Sequence, residues 1–245
     1  MMRRMEMIVV IGKTALVAGA TGLVGKKLLR QLLDSTEYTR VIALVREPVQ
    51  QLQHLKLQQI VVDYHRLEDY RAEMKADDVF CCLGTTIKQA GTQAQMIEID
   101  VLYPVSVAMV AYKQGAKQFI VISSMGADPK SSIFYTRTKG DMEQRLQQVG
   151  YSSLSIVRPS LLLGKRKNSR AGEQFGAVVS QALSFLMIGP LRKYRGIEAS
   201  DVARAMYRIA QTSKSGTHIY MSDQLQRIAD ESQSRSASIS KSARS

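Results

Sequence analysis

Residues 13–33 read KTALVAGATGLVGKKLLRQLL, and this stretch decides the architecture. An apolar run at 14–18 enters three glycines, Gly19, Gly22 and Gly25, and from Gly22 to Leu33 apolar residues recur at helical spacing. A strand that runs straight into a glycine turn and a helix is the opening of a βαβ unit. Each glycine then has its own task. Gly19 permits the tight turn, Gly22 lets backbone approach a pyrophosphate, and Gly25 allows the helix to pack closely on the strand. The first amides of the helix, with the positive end of its dipole, face the anion.

The alternation continues outward from that stretch. Further strands are predicted at 40–45, 59–62, 78–82, 118–123, 154–157 and 217–220, with helices at 92–114, 134–149 and 200–212. Asp201 or Ser200 is a candidate cap for the last of these helices. The pattern predicts an α/β fold, a doubly wound parallel sheet of the Rossmann type with helices on both faces. A chain of 245 residues with 45% hydrophobic content suits one such domain with a substantial core. Residues 1–12 are read as an N-terminal extension and 13–222 as the domain. Residues 164–196, glycine-bearing with an apolar helical run, are read as a small C-terminal substrate lobe. Residues 223–245 are rich in Ser, Gln and Arg and are expected to be disordered, because they bury too little surface to offset their ordering entropy.

Composition narrows the partners. The 34 Lys and Arg exceed the 21 Asp and Glu, and the net charge of +13 favours anionic ligands. The basic clusters at 165–170 and 192–195 lack interleaved aromatics and any nucleic-acid-binding module, so nucleic acid is set aside as a partner. Cys81 and Cys82 are adjacent, which excludes a disulfide framework and Cys-x-x-Cys spacing; both are read as core residues, and a cytoplasmic location is expected. No uninterrupted apolar stretch approaches the roughly 18–20 residues of a membrane span, so no membrane partner is expected. His54, His65 and His218 lie far apart without carboxylates at ligand spacing, and no metal site is expected.

The second strand ends at Val45 and is followed by Arg46, where an NAD-preferring site carries an acidic residue on the ribose. A guanidinium there suits the 2′-phosphate of NADP(H). If Glu47 rather than Arg46 faced the ribose, the preference would reverse. At the end of the fourth strand Leu83 and Gly84 could lie along the adenosine part of the cofactor. Ser123 and Ser124 end the fifth strand, and Tyr135 and Lys139 stand one turn apart on the next helix. Hydride transfer to a carbonyl leaves an alkoxide that needs a proton. Tyr135 can supply it if the Lys139 ammonium lowers its pKa. A serine hydroxyl can hold the substrate oxygen; Ser124, beyond the strand end, is the first choice and Ser123 the alternative.

The glycine motif, Phe80-Cys-Cys-Leu-Gly-Thr-Thr, Ser123-Ser-Met-Gly-Ala and Tyr135-Thr-Arg-Thr-Lys together resemble the HIV Tat-interacting-protein family of atypical short-chain dehydrogenases. The resemblance runs from about Lys13 to Tyr220. It implies NADPH contacts from Thr21, Gly22, Leu23, Val24, Arg46, Leu83, Gly84, Tyr135 and Lys139, and from Leu162 and Arg170 further on. It also implies Tyr135 as proton donor and acceptor. The chain departs from the pattern of extended short-chain dehydrogenases at Asp100, where many carry Asn, and from the family at Glu47, where a second basic residue is usual. The expected function is therefore NADPH-dependent reduction of a carbonyl compound. The alternative is a non-catalytic NADPH-sensing or scaffold protein acting through a protein partner.

Overall fold

A computed structural model describes residues 12–51, 53–164 and 195–231. Seven parallel strands form the main sheet: β1 (Lys13–Ala18), β2 (Tyr38–Val45), β3 (Leu57–Val61), β4 (Asp78–Cys81), β5 (Gln118–Ile122), β6 (Ser153–Arg158) and β9 (Gly216–Met221). Their order is β3-β2-β1-β4-β5-β6-β9, and β7 (Leu162–Leu163) pairs with β8 (Ile197–Glu198) in a separate small ladder. The strand order reverses between β1 and β4, the crevice where such sheets bind ligands. Register aligns the carboxyl ends, because Ala18 faces Leu44 and Cys81, and Cys81 faces Val121. Gly19, Arg46, Cys82 and Ser123 therefore leave the sheet at one edge.

Alternate residues of each strand serve opposite layers, and both layers are apolar. Ala15 and Val17 join Phe80 and Ile120 under the helices α1 (Gly25–Asp34) and α5 (Ala199–Thr212). Leu16 and Ala18 join Val79, Cys81 and Phe119 on the other face. That face is covered by α3 (Gln93–Lys113) and α4 (Phe134–Val149), with a 3-10 segment at Tyr64–Met74 and the short α2 (Ile87–Ala90) beside them. α3 has 21 residues, and its most apolar 18-residue stretch has a mean hydropathy of 1.4, long and apolar enough for a membrane span by those measures. Here it lies along the sheet as a core helix, with Val101, Val107, Ala108 and Ala111 buried. Thr92 caps it by accepting from the Gln95 amide at 3.1 Å, and a π turn interrupts it at Glu98–Leu102.

Three expectations are revised. The first helix begins at Gly25 rather than Gly22, because Gly22 closes the turn by donating to the Gly19 carbonyl at 3.0 Å. Asp201 does not cap α5; it holds Arg204 at 2.8 Å and the Gln226 amide at 3.1 Å. Order also does not stop at 222. Residues 222–231 form a helix, α6, with Leu225 and Ala229 fully buried and Ile228 packed against the same core. Its apolar stripe, only three residues among Asp, Gln, Arg and Glu, is too thin to stand out by composition. Residues 165–194 of the expected substrate lobe and 232–245 of the tail lie outside the described residues.

Candidate cofactor and catalytic site

The glycine turn is built as its spacing requires. Gly19 has φ +80°, and a Cβ there would meet the Cys82 carbonyl at 2.7 Å. A Cβ on Gly25 would lie 2.1 Å from the Gly19 oxygen, so this glycine is what allows α1 to press on the turn. Gly22 is less crowded, at 3.3 Å, and exposed. A larger side chain there would project into the space before the helix. α1 has no side-chain cap and no acidic residue in its first turn; its Lys26, Lys27 and Leu28 amides turn back onto the Gly22 and Val24 carbonyls, so what the helix start offers an outside anion is the positive end of its dipole and the turn before it. Thr21 is exposed, whereas Val24 is buried in the core and can offer a ligand only its backbone. Leu23 comes within 3.1 Å of a Cβ built on Gly164, so the chain following Leu162 in β7 returns to the glycine turn.

Arg46 is exposed beyond β2. Its charge reaches Tyr64 and Tyr103, whose rings stack with centroids 4.9 Å apart. Burial, helped by Cys81, pushes the Tyr64 phenol up, while Arg46 and the Gly19 backbone pull it down. Arg46 and the glycine turn thus flank one tyrosine. Sequence reading missed both tyrosines, because nothing in their spacing brings residue 64 to residue 103.

The second half of the site centres on Lys139. Lys139 is 3% exposed and its Nζ lies 2.5 Å from Oδ1 of Asp100, which is fully buried. The contact is a charge pairing without hydrogen-bond alignment at that oxygen. The other oxygen, Oδ2, accepts from the Thr85 amide at 2.9 Å. Gly84 sits over the pair, each charged atom 3.5 Å from where its Cβ would be. Tyr135, one turn before Lys139, is 40% exposed.

The two serines separate. The Ser123 hydroxyl donates to Oε1 of Glu143, and Arg158 grips the same buried carboxylate at 2.9 and 2.5 Å. Ser123 is thereby committed to the protein interior. The Ser124 hydroxyl is buried and has no protein partner. Gly140, which sequence reading also missed, lets α4 meet the loop that precedes it: a Cβ there would lie 2.2 Å from the Pro129 nitrogen. Its signal was a glycine inside a helix, costly by about 1 kcal/mol unless packing needs it. Cys81 and Cys82 fall on opposite faces of the sheet. Burial pushes the Cys81 thiol up to about 12, which keeps it un-ionised. Arg170 lies outside the described residues. Among the described residues no cluster of His, Cys, Asp and Glu could hold a metal.

An open anion-facing helix start, an exposed glycine, an orphaned buried hydroxyl and a buried lysine fit a nicotinamide dinucleotide lying across the switch point. The family model of NAD(P)H-binding proteins matches residues 19–213. Protein HTATIP2 of Rattus norvegicus is 35% identical over 164 residues, covering 66% of this chain and 67% of that protein. Protein FMP52, mitochondrial, of Eremothecium gossypii is 31% identical over 182 residues, covering 74% and 77%. Among solved structures, MoeE5 in complex with UDP-glucose and NAD superposes with a TM-score of 0.63 at 17% identity, over 89% of this chain and 81% of that one, a likeness of fold. The fungal relatives are named mitochondrial, which overturns the cytoplasmic location expected from cysteine usage. Two free thiols report that no disulfide is needed, and more than one compartment satisfies that. By the match over residues 19–213 and these identities, the chain belongs to the NAD(P)H-binding atypical short-chain dehydrogenase family that includes HTATIP2 and FMP52.

Proposed function

We propose that this protein is an NADPH-dependent reductase of a carbonyl compound in which Tyr135 supplies the proton. The observation that carries the reading is the buried Lys139 held one turn from an exposed Tyr135, together with the buried, unpartnered hydroxyl of Ser124. Bound cofactor supplies hydride. The chain's own residues do the rest. Ser124 donates a hydrogen bond to the substrate oxygen and orients the carbonyl, Tyr135 delivers its phenolic proton to that oxygen as negative charge develops, and Lys139 stabilises the phenolate left behind. Thr21, Gly22, Leu23 and the Val24 amide would hold the pyrophosphate side, Leu83, Gly84 and Leu162 would line the dinucleotide, and Arg46 would hold the 2′-phosphate.

The test is titration with NADPH beside turnover on a panel of carbonyl compounds. Tyr135→Phe is expected to bind NADPH as the parent does and to lose at least about 100-fold in turnover. Near-parental turnover by Tyr135→Phe would sink the proton-donor assignment. Cofactor binding with no turnover on any panel member would favour the second reading, an NADPH-responsive scaffold. The exposed Leu102, Met109 and Tyr112 on α3 offer that reading an apolar contact face.

A further inference from the structure

We propose that Asp100 is a charge-positioning residue that offsets the Lys139 ammonium at the distance of the nicotinamide ring, while the ammonium still acts on the phenol one turn away, so that the site accepts the oxidised, cationic nicotinamide about as readily as the reduced, neutral one. The inference rests on the reading that Lys139 faces the nicotinamide end of the cofactor. An ammonium alone at that place would repel a cationic ring and favour the reduced form. With a carboxylate 2.5 Å away the two charges form a neutral unit. Cys81 senses this, since Lys139 pulls its thiol down while Asp100 pushes it up.

The fold spends several features on the pair. The π turn at Glu98–Leu102 turns both Asp100 and Val101 into the core, where a regular helix would begin to rotate one of them outward. The Thr85 amide fixes the second carboxylate oxygen. The adjacent acid, Glu143, is already taken by Arg158 and Ser123 and so does not share Lys139. Burying two charges costs several kcal/mol in desolvation, and a buried pair with one partner removed leaves an uncompensated charge.

The experiment measures dissociation constants for NADP+ and NADPH with the full-length parent, Asp100→Asn, Lys139→Gln and the double variant, with circular dichroism as the check on folding. One uncompensated unit charge several ångströms from the ring, at an effective dielectric constant of about 20, is expected to shift the affinity ratio by roughly tenfold or more. Asp100→Asn should therefore weaken NADP+ relative to NADPH by about tenfold, and Lys139→Gln should shift the ratio the opposite way. The double variant carries no buried charge at this place and should return to within about twofold of the parental ratio. Should either single variant fail to fold, the other still gives the sign. Equal loss of both cofactor forms in the single variants, or a double variant far from the parental ratio, overturns the charge-balancing role. A parent that binds neither cofactor would instead remove the underlying reading, a separate result.

Discussion

At the scale of single residues, the site is made of side chains that are unremarkable by type and particular by surroundings. Lys139 is one of many lysines, yet it is nearly fully buried against an acid, whereas Lys26 and Lys27 at the start of α1 are exposed. Ser123 and Ser124 are adjacent and chemically identical. One is bonded to Glu143 and the other is left open, and this difference favours Ser124 as the substrate-facing hydroxyl. Arg46 has no such enclosure. Because it is exposed, the contact proposed for it with a 2′-phosphate would be a charge-assisted one of about 1.5–3 kcal/mol that salt weakens. Arg46→Ala is accordingly expected to weaken NADPH about 10- to 100-fold at low salt while leaving NADH nearly unchanged, with the gap narrowing as salt is raised. Equal losses for the two cofactors in paired titrations would take Arg46 out of the phosphate site and reopen the case for Glu47.

At the scale of elements, the glycine turn and α4 behave as rigid mounts. Gly19 and Gly25 are demanded by the protein's own backbone, so substituting either disturbs the strand-to-helix connection before any ligand is considered. Gly140 does the same for α4, seating the loop at Asp128 and Pro129 against the helix that carries Tyr135 and Lys139. α6 is the element whose role is least apparent from composition. Leu225 has no exposure and joins the core beneath α1 and α5, while Gln226 reaches back to Asp201 at 3.1 Å. Leu225→Ala should therefore cost about 2–5 kcal/mol by urea unfolding, as a cavity in a packed core does. A Leu225→Ala variant as stable as the parent would mean that α6 adds nothing to the domain.

At the scale of the whole molecule, the sheet end opposite the site is tied by a buried polar network. Tyr38 donates to Oδ2 of Asp78 at 2.6 Å, Gln118 donates to Oδ1 at 2.9 Å, and Lys13 lies 3.2 Å from Oδ2, so β1, β2, β4 and β5 share one carboxylate. Burial first, then Asp78, pushes the Tyr38 phenol up. Burial likewise raises Tyr64 and Tyr151, and the Cys81 thiol is pushed up to about 12. These groups are neutral when protonated and hold their protons more tightly folded than unfolded. Their contribution is thus intact below the unfolded values, near 9 for the thiol and near 10 for the phenols, and is lost as pH rises above them. Each removes roughly 1.4 kcal/mol per pH unit in that window. Urea unfolding is expected to show steady stability to about pH 9 and a steep fall beyond pH 10, with Tyr151→Phe shallower by about one proton. Flat stability to pH 11 would contradict the assignment.

What the sequence alone determined is the part carried by neighbours along the chain. The glycine spacing, the short apolar strand runs and the one-turn step from Tyr135 to Lys139 were legible because strand and helix geometry repeat over a few residues, and α4 falls at 134–149 as its spacing predicts. Leu83, Gly84 and Arg46 were legible as strand-end positions for the same reason. Tertiary structure alone decided which charges meet. The partner of Lys139 is an acid on another helix turned inward by a π segment, the partner of Ser123 is a glutamate shared with Arg158 of β6, and α6 is ordered because its narrow stripe finds a surface made by α1 and α5. Periodicity reports which face of an element is apolar. It cannot report which polar groups will be enclosed together, since that depends on how separate elements stack and on where the resulting enclosure excludes water.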